Sequence, residues 1–429
     1  MTAGHRPQVQ VLLIISQMRT SRLRGFLLLV CILFTTPAWA QDTRRAAVEE
    51  LRAARAATVA PYKQGKLERA LFYIEQNRLL ERLTREEGLY LQIGSIQRGG
   101  GFAFGGGYRT PFAAGNLVFN ADAAITVKGY RVAGVDLSAP RLFSDHLTLM
   151  SRGQYRYFPQ EDYFGLGPGS EKAARSTYLL EERELAGIAR VQVTPWLTWS
   201  TKVAHLDPRV DDGTDSLHPP IGELFIDTTA PGLARQPAFL ETGTLLELDT
   251  RDQRGNPRSG TYVSLMGARY GDLDDLGYDF SRFGGEVQHY LPIFDKKRVI
   301  AVRAAANHYE PRGGSTVPFY YILPLGGTDS IRGFTDFRFR DLNAVLFNAE
   351  YRWEAFSGMD MALFYDVGTV ARRWSDLGSD GWKRSWGIGL RFNTYRSIFM
   401  RTEVAFGSGE GTRFFVAFGG PLRLQRYLR

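Results

Sequence analysis

Cysteine is almost absent from this chain: Cys31 is the only one among 429 residues. A protein with one thiol is no disulfide scaffold and offers no cysteine set for structural zinc. Charged residues are also sparse, at 23%, and histidines number six. No apolar run reaches the ~20 residues that a membrane-spanning helix needs, which excludes a helical membrane bundle. The charge balance leaves no nucleic-acid footprint: the first 40 residues hold four arginines and no acid, and without them the formal charge of +8 falls to +4. No group of candidate metal ligands shows a recognisable spacing. The expectation is no cofactor, no metal, no catalytic residue and no nucleic-acid partner.

What is plentiful is Gly (46), Phe (28) and Tyr (20), a composition that leans towards β structure. The N-terminus reads as an export signal over 1–40, with Arg19, Arg22 and Arg24 before the apolar run "GFLLLVCILF" and small residues at Ala38 to Ala40. Cleavage before Gln41 follows, with Met18 as the natural start. A membrane anchor is the alternative, but the run is far too short to span. Cys31 would leave with the signal, and the bulky Val30 before it argues against lipoprotein processing.

Residues 41–88 carry helix formers in two stretches split by Pro61, with Gly88 where a C-cap would sit. Leu67, Leu71, Ile74 and Leu83 fall near one face of the second stretch. It is an amphipathic helix that could lie on a membrane, enter a lumen or pack on its own protein.

From Leu89 onward the pattern switches to short alternating segments separated by turn residues, the mark of β-strands. In "NAVLFNAEYRWE", Val345, Phe347, Ala349, Tyr351 and Trp353 share one face, and Asn348, Glu350, Arg352 and Glu354 the other. "MDMALFYDVG" sets Met361, Leu363, Tyr365 and Val367 against Asp360, Phe364, Asp366 and Gly368. An export signal, many evenly spaced strands, aromatics near strand ends and polar inward positions together describe a transmembrane antiparallel β-barrel over 89–420, followed by a tail, 421–429. About sixteen strands are expected, an even number that returns both ends to the same side. Closure pairs every backbone group that lipid cannot satisfy. Turns such as 194–196 and 292–297 are short, whereas 207–238 and 310–341 are long and belong on the outer side.

Several motifs now resemble the BamA/TamA-type outer-membrane barrels, the bacterial surface antigen family. "LELDTRDQRGNPRSGTYVSL" resembles its strand, turn and strand, with the Asp-Thr-Arg-Asp turn on Asp249, Thr250, Arg251 and Asp252. "GGTDSIRGF" resembles its loop-six signature, on Gly326, Gly327, Ile331, Arg332, Gly333 and Phe334. "FYDVGTV" is similar to a later Phe-x-Asp-x-Gly element, and "YFGLGPGS" is a weaker match. The resemblance implies that loop six folds back into the lumen and that its arginine meets acids matching Glu350 and Asp366. The alternation had already placed both acids on the polar face of adjacent strands. A guanidinium fork suits carboxylates, Gly333 permits a tight turn, and Phe334 can pack the tip.

The resemblance further implies insertion of proteins into the outer membrane or their translocation across it. The partners would be outer-membrane lipid and unfolded outer-membrane or secreted protein clients. No POTRA pattern fits residues 41–88, so a passive porin-like channel stands as the alternative. The last strand, "TRFFVAF", is followed by "GGPLRLQRYLR", which moves a terminal aromatic signal inward. The run "GGGFAFGGGYR" has no helix after it and is no phosphate cradle. Its glycines either weaken the seam with strand 411–418, where a client strand would enter, or ease curvature. Asp145 and His146 are the nearest approach to a hydrolytic dyad, with no third group to orient them.

Overall fold

The computed structural model describes residues 87–420, apart from 144, 357, 379–380 and 394–396. The expected signal (1–40), nearly all of the helical segment 41–88 and the tail 421–429 lie outside the described residues. Gly88, expected to close a helix, has φ +81° and is the first residue of a strand.

Sixteen strands form one antiparallel sheet in chain order. They are β1 (Gly88–Gly94), β2 (Ala103–Phe112), β3 (Leu117–Thr126), β4 (Arg131–Leu142), β5 (Leu147–Tyr163), β6 (Ser176–Thr194), β7 (Leu197–Asp212) and β8 (Phe239–Asp249), then β9 (Gly260–Asp272), β10 (Phe280–Ile293), β11 (Arg298–Pro311), β12 (Asn343–Phe356), β13 (Met359–Ala371), β14 (Lys383–Asn393), β15 (Ile398–Gly407) and β16 (Gly411–Phe418). The two edges of the sheet return to each other: a Cβ built on Gly94 of β1 would lie 3.7 Å from that of Phe418 of β16. The rings of Phe102 and Phe418 meet edge to face at 5.3 Å. The barrel is nearly closed, yet among the described residues no hydrogen-bonded ladder joins β16 to β1.

Period-two alternation decides which side of the wall each residue takes. On β12, Leu346, Asn348, Glu350 and Arg352 are buried, while Phe347 and Ala349 are exposed. On β13, Ala362, Phe364 and Asp366 are buried, while Leu363 and Tyr365 are exposed. The polarity is reversed from that of a soluble protein. Leu89, Leu185, Leu265, Ile388 and Phe414 face outward and exposed, whereas Lys202, Glu286, Arg303, Arg391 and Glu403 are enclosed. That is the arrangement of a wall wetted by lipid and lined by charge. Among the described residues no helix is long and apolar enough to cross a membrane.

Strands β5, β6 and β7, at 17, 19 and 16 residues, are the longest, and β5 and β7 run about six residues past where their alternation fades. At that end the long connections stack on one another. The amide of Phe319 donates to the Pro231 carbonyl at 2.8 Å, and Tyr163, Tyr178, Ile221, Phe319 and Tyr320 form a shared apolar cluster. Of the six glycines, Gly99 to Gly101 lie in the β1–β2 connection and the other three lie one strand inward from the seam. Gly105 to Gly107 belong to β2, and a Cβ on Gly105 or Gly107 would collide with Ala124 or with Tyr90. Close packing between β1, β2 and β3 therefore calls for them, and the seam edge itself is Leu89 to Ile93 of β1.

Candidate functional site

The connection between β11 and β12 turns back on itself. Leu325 and Phe339 exchange both backbone hydrogen bonds, at 2.8 and 2.9 Å, which makes 325–339 a hairpin. Gly326 and Gly327 begin its descent at φ +107° and +90°, values that side-chain-bearing residues rarely adopt. Ser330 Oγ accepts from the amide of Gly326 at 2.8 Å, and the amide of Gly327 donates to the Phe334 carbonyl at 3.0 Å. Leu325, Ile331, Phe334 and Phe339 then pack on Ala344, Leu346 and Val370 of the inner wall. Apolar burial thus seats the hairpin, and polar contacts aim its tip.

Arg332 is at that tip, 1% exposed. Its Nε and Nη2 donate to the two oxygens of Asp366 at 2.9 and 2.6 Å, its Nη1 donates to Glu350 at 2.5 Å, and its amide donates to Asp366 at 3.0 Å. The guanidinium lies over the Phe364 ring, 3.6 Å from the centroid. All six loop residues singled out in the sequence are therefore in one place, and Glu350 and Asp366 are with them.

Sequence reasoning missed the third acid. Glu403 of β15 is 3.5 Å from Arg332 Nη1 and is shared with Arg391 at 2.9 Å and Arg401 at 2.6 Å. Arg391 also reaches Glu350 at 2.9 Å, and Arg352 reaches it at 2.7 Å. Arg401 ties the network back to the hairpin through Asp329 at 2.9 Å and the Thr328 carbonyl at 2.8 Å. Asn348 donates to the Ser330 carbonyl and to Asp366, both at 2.8 Å. Cations and anions alternate through this group, so its charge is balanced. Such a network fixes a position more than it adds net stability, because desolvation offsets much of the attraction. The signal for Glu403 was present in "SIFMRTEVAFG", whose alternation puts it on the same face as Arg401.

The hairpin also touches both sides of the seam. Arg98, in the connection after β1, donates to the Gly326 carbonyl at 3.1 Å. From the other edge, Glu410 accepts from Arg338 at 2.5 Å, and Arg413 of β16 approaches Asp336 at 3.6 Å. The weaker motif, 163–170, serves the hairpin's return: Gly167 donates to the Arg340 carbonyl at 2.8 Å and Ser170 meets Arg338.

Residues 240–405, which span β8 to nearly the end of β15 and include this hairpin with its three acids, match the family model of the Omp85 superfamily domain. Over this span the chain is similar to the Omp85 superfamily domain. No curated protein matches the chain in sequence. Among solved structures the barrel is similar to BamA from Haemophilus ducreyi lacking POTRA domains 1–3, with TM-score 0.58, 14% identity, and coverage of 81% of this chain and 77% of that one. Matches to CdiB from Acinetobacter baumannii (TM-score 0.46, 12% identity, 77% and 59% covered) and from Escherichia coli (0.48, 12%, 79% and 68%) are more distant. At these identities the likeness is one of fold, the fold of outer-membrane proteins.

The Asp-Thr-Arg-Asp turn is at the opposite end of the barrel from the loop-six base. Arg251 forks onto Asp249 at 2.8 and 2.9 Å and stacks on Tyr262. Asp252 accepts from the amides of Arg258 and Ser259 at 2.9 and 3.1 Å and from Lys296 at 2.9 Å. So braced, the β8–β9 turn crosses to the C-terminal strands. Arg258 bonds both oxygens of Asp360 at 2.9 Å, and the Gly255 carbonyl accepts from the amide of Ile398 at 3.3 Å. Asp145, at φ +69°, and His146 lie in the β4–β5 turn.

Proposed function

We propose that this protein is a non-enzymatic outer-membrane machine that inserts protein clients into the membrane, or passes them across it, through the β1–β16 seam. The observation that carries the reading is the contrast between that seam and the rest of the wall. Every other neighbouring pair of strands forms a hydrogen-bonded ladder. The seam strands, of 7 and 8 residues, are shorter than the ~9–11 residues that cross a bilayer. An unpaired strand edge facing lipid is a template for another strand, which makes β-augmentation the natural mode of client entry. The loop-six hairpin, gripping Arg98 on one edge and Glu410 and Arg413 on the other, is placed to hold the seam and to sense its opening.

The rival reading, a passive channel, asks for a lumen free of obstruction. Against it, residues 325–339 sit buried inside the barrel, and the β8–β9 turn crosses its other end.

The test is a cysteine pair at Gly94 and Phe418, whose Cβ separation of 3.7 Å falls within the disulfide range. In proteoliposomes, oxidation should block assembly of an unfolded barrel client and reduction should restore it. The reduced form serves as its own control for the strain of replacing a glycine at φ +149°. Full activity with the seam locked would refute the proposal, and a stable large conductance in planar bilayers would favour the channel.

A further inference from the structure

Two glycines in the wall have no reason to be glycine within this chain. Gly153 of β5 and Gly187 of β6 have ordinary φ, and a Cβ on either would meet nothing within 4 Å. Other strand glycines of ordinary φ have a neighbour within 4 Å of such a Cβ: at Gly284, Gly387 or Gly389 it would strike one, and at Gly134, Gly267 or Gly271 it would make ordinary contact. An unneeded glycine weakens a strand relative to alanine, because more backbone freedom is lost on folding. Such a glycine marks a place where something outside the chain comes close.

Both belong to the outward face. The register sets Ser151 beside Gly187, and Leu149 beside Ala189. Small side chains thus form a floor at the centre of the β4–β7 wall. Leu117, Leu137, Leu149 and Val203 border it, leaving an open outward recess of about 560 Å³. The recess runs across strands ~4.8 Å apart but occupies only about two outward levels, or ~7 Å, along them. That height admits a hydrocarbon chain and is too narrow for an α-helix ~10–12 Å across.

Four residues from Gly187 towards the long-loop end, roughly 13 Å along the strand, the wall becomes cationic and aromatic. Arg183 stands there, 3.3 Å from Glu181 and 3.9 Å from Asp207. One level further, Arg131 lies against the Tyr157 ring and Arg209 is exposed. Among the described residues neither Arg131 nor Arg209 has an ion-pair partner. An apolar slot with unpaired guanidiniums at headgroup distance matches an amphiphile carrying a phosphate.

We propose that the β4–β7 wall holds one acyl chain of a phosphate-bearing lipid, from the leaflet on the long-loop side, with its phosphate on Arg131, Arg183 and Arg209. The test uses the full barrel in mixed phosphatidylglycerol and phosphatidylcholine nanodiscs, followed by native mass spectrometry on transfer to detergent. One phosphatidylglycerol should stay with the wild type. Gly187→Leu, or Ser151→Leu from the adjoining strand, should lower its occupancy about tenfold while heat-modifiable mobility shows the barrel folded. Arg131→Gln with Arg209→Gln should keep a bound lipid but lose the preference for phosphatidylglycerol. Equal retention in the folded leucine variants, headgroup indifference in the wild type, or a wild-type dimer that the leucine variants split would each overturn the assignment.

Discussion

Gly333 of the loop-six hairpin and Gly407 at the end of β15 touch through bare backbone. A Cβ on Gly333 would come within 2.6 Å of the Gly407 Cα, and one on Gly407 would collide with the Gly333 carbonyl. The hairpin can reach its acids only because both positions lack a side chain.

Gly407→Ala therefore tests docking without altering a single charge. Overpacking of this kind costs about 1–3 kcal/mol. The expected result is a lower urea midpoint for the refolded barrel and new protease cleavage within 325–339. Wild-type protection would mean that the two backbones are not held together in solution.

Replacing Arg332 addresses the charges. Arg332→Ala leaves Glu350 and Asp366 without their shared cation, and removal of one partner from a buried pair costs about 3–5 kcal/mol. Arg332→Lys keeps the charge but loses the fork onto Asp366 and should fall between wild type and alanine. Glu403→Gln, at the 3.5 Å contact, should also destabilise the barrel, chiefly by depriving Arg391 and Arg401 of an anion. Urea titration in detergent ranks the three. An Arg332→Ala midpoint equal to wild type would remove the clasp.

Arg258→Glu sets two carboxylates face to face, at Asp360, and should lift the β8–β9 turn from the barrel's end. Planar-bilayer recordings should then show frequent openings that the wild type lacks. Identical traces would show that the turn does not obstruct ion flow.

Acid should loosen the same turn. Burial alone would raise the Asp252 carboxyl, but the Lys296 ammonium and the amides of Arg258 and Ser259 outweigh it and hold the group below its ordinary 3.8. A carboxylate depressed in the folded state contributes stability above its unfolded pKa, and that contribution is lost as pH falls through the folded value. Protease access to 250–259 should therefore rise as pH falls below about 4. Asp252→Asn should be accessible throughout and show no such step.

The strand pattern was legible because a barrel wall repeats every two residues with lipid on one side, and β16 spans the 411–418 expected for the last strand. The outer end of β7, inside the connection 207–238 read from the sequence, was not, because at headgroup level both faces become polar: Glu181 pairs in register with Arg209 and Arg183 with Asp207, which reads as loop. Arg332, Glu350 and Asp366 were legible through motif and alternation together. Glu403 and the reach of Arg258 to Asp360 were not, since each depends on which strands the curved sheet brings opposite one another. The glycine run misled because its composition suggests slack, whereas Gly105 and Gly107 answer to contacts with their neighbours.

Three fasteners of this barrel reach forward along the chain. Arg258 waits for Asp360, 102 residues later, Arg338 waits for Glu410, 72 residues later, and Arg98 waits 228 residues for the Gly326 carbonyl. Contacts of such sequence separation form late, since a long loop must close before they contribute. The middle of the chain must therefore stay unlatched while its last strands arrive, and their docking becomes the event that locks the cylinder.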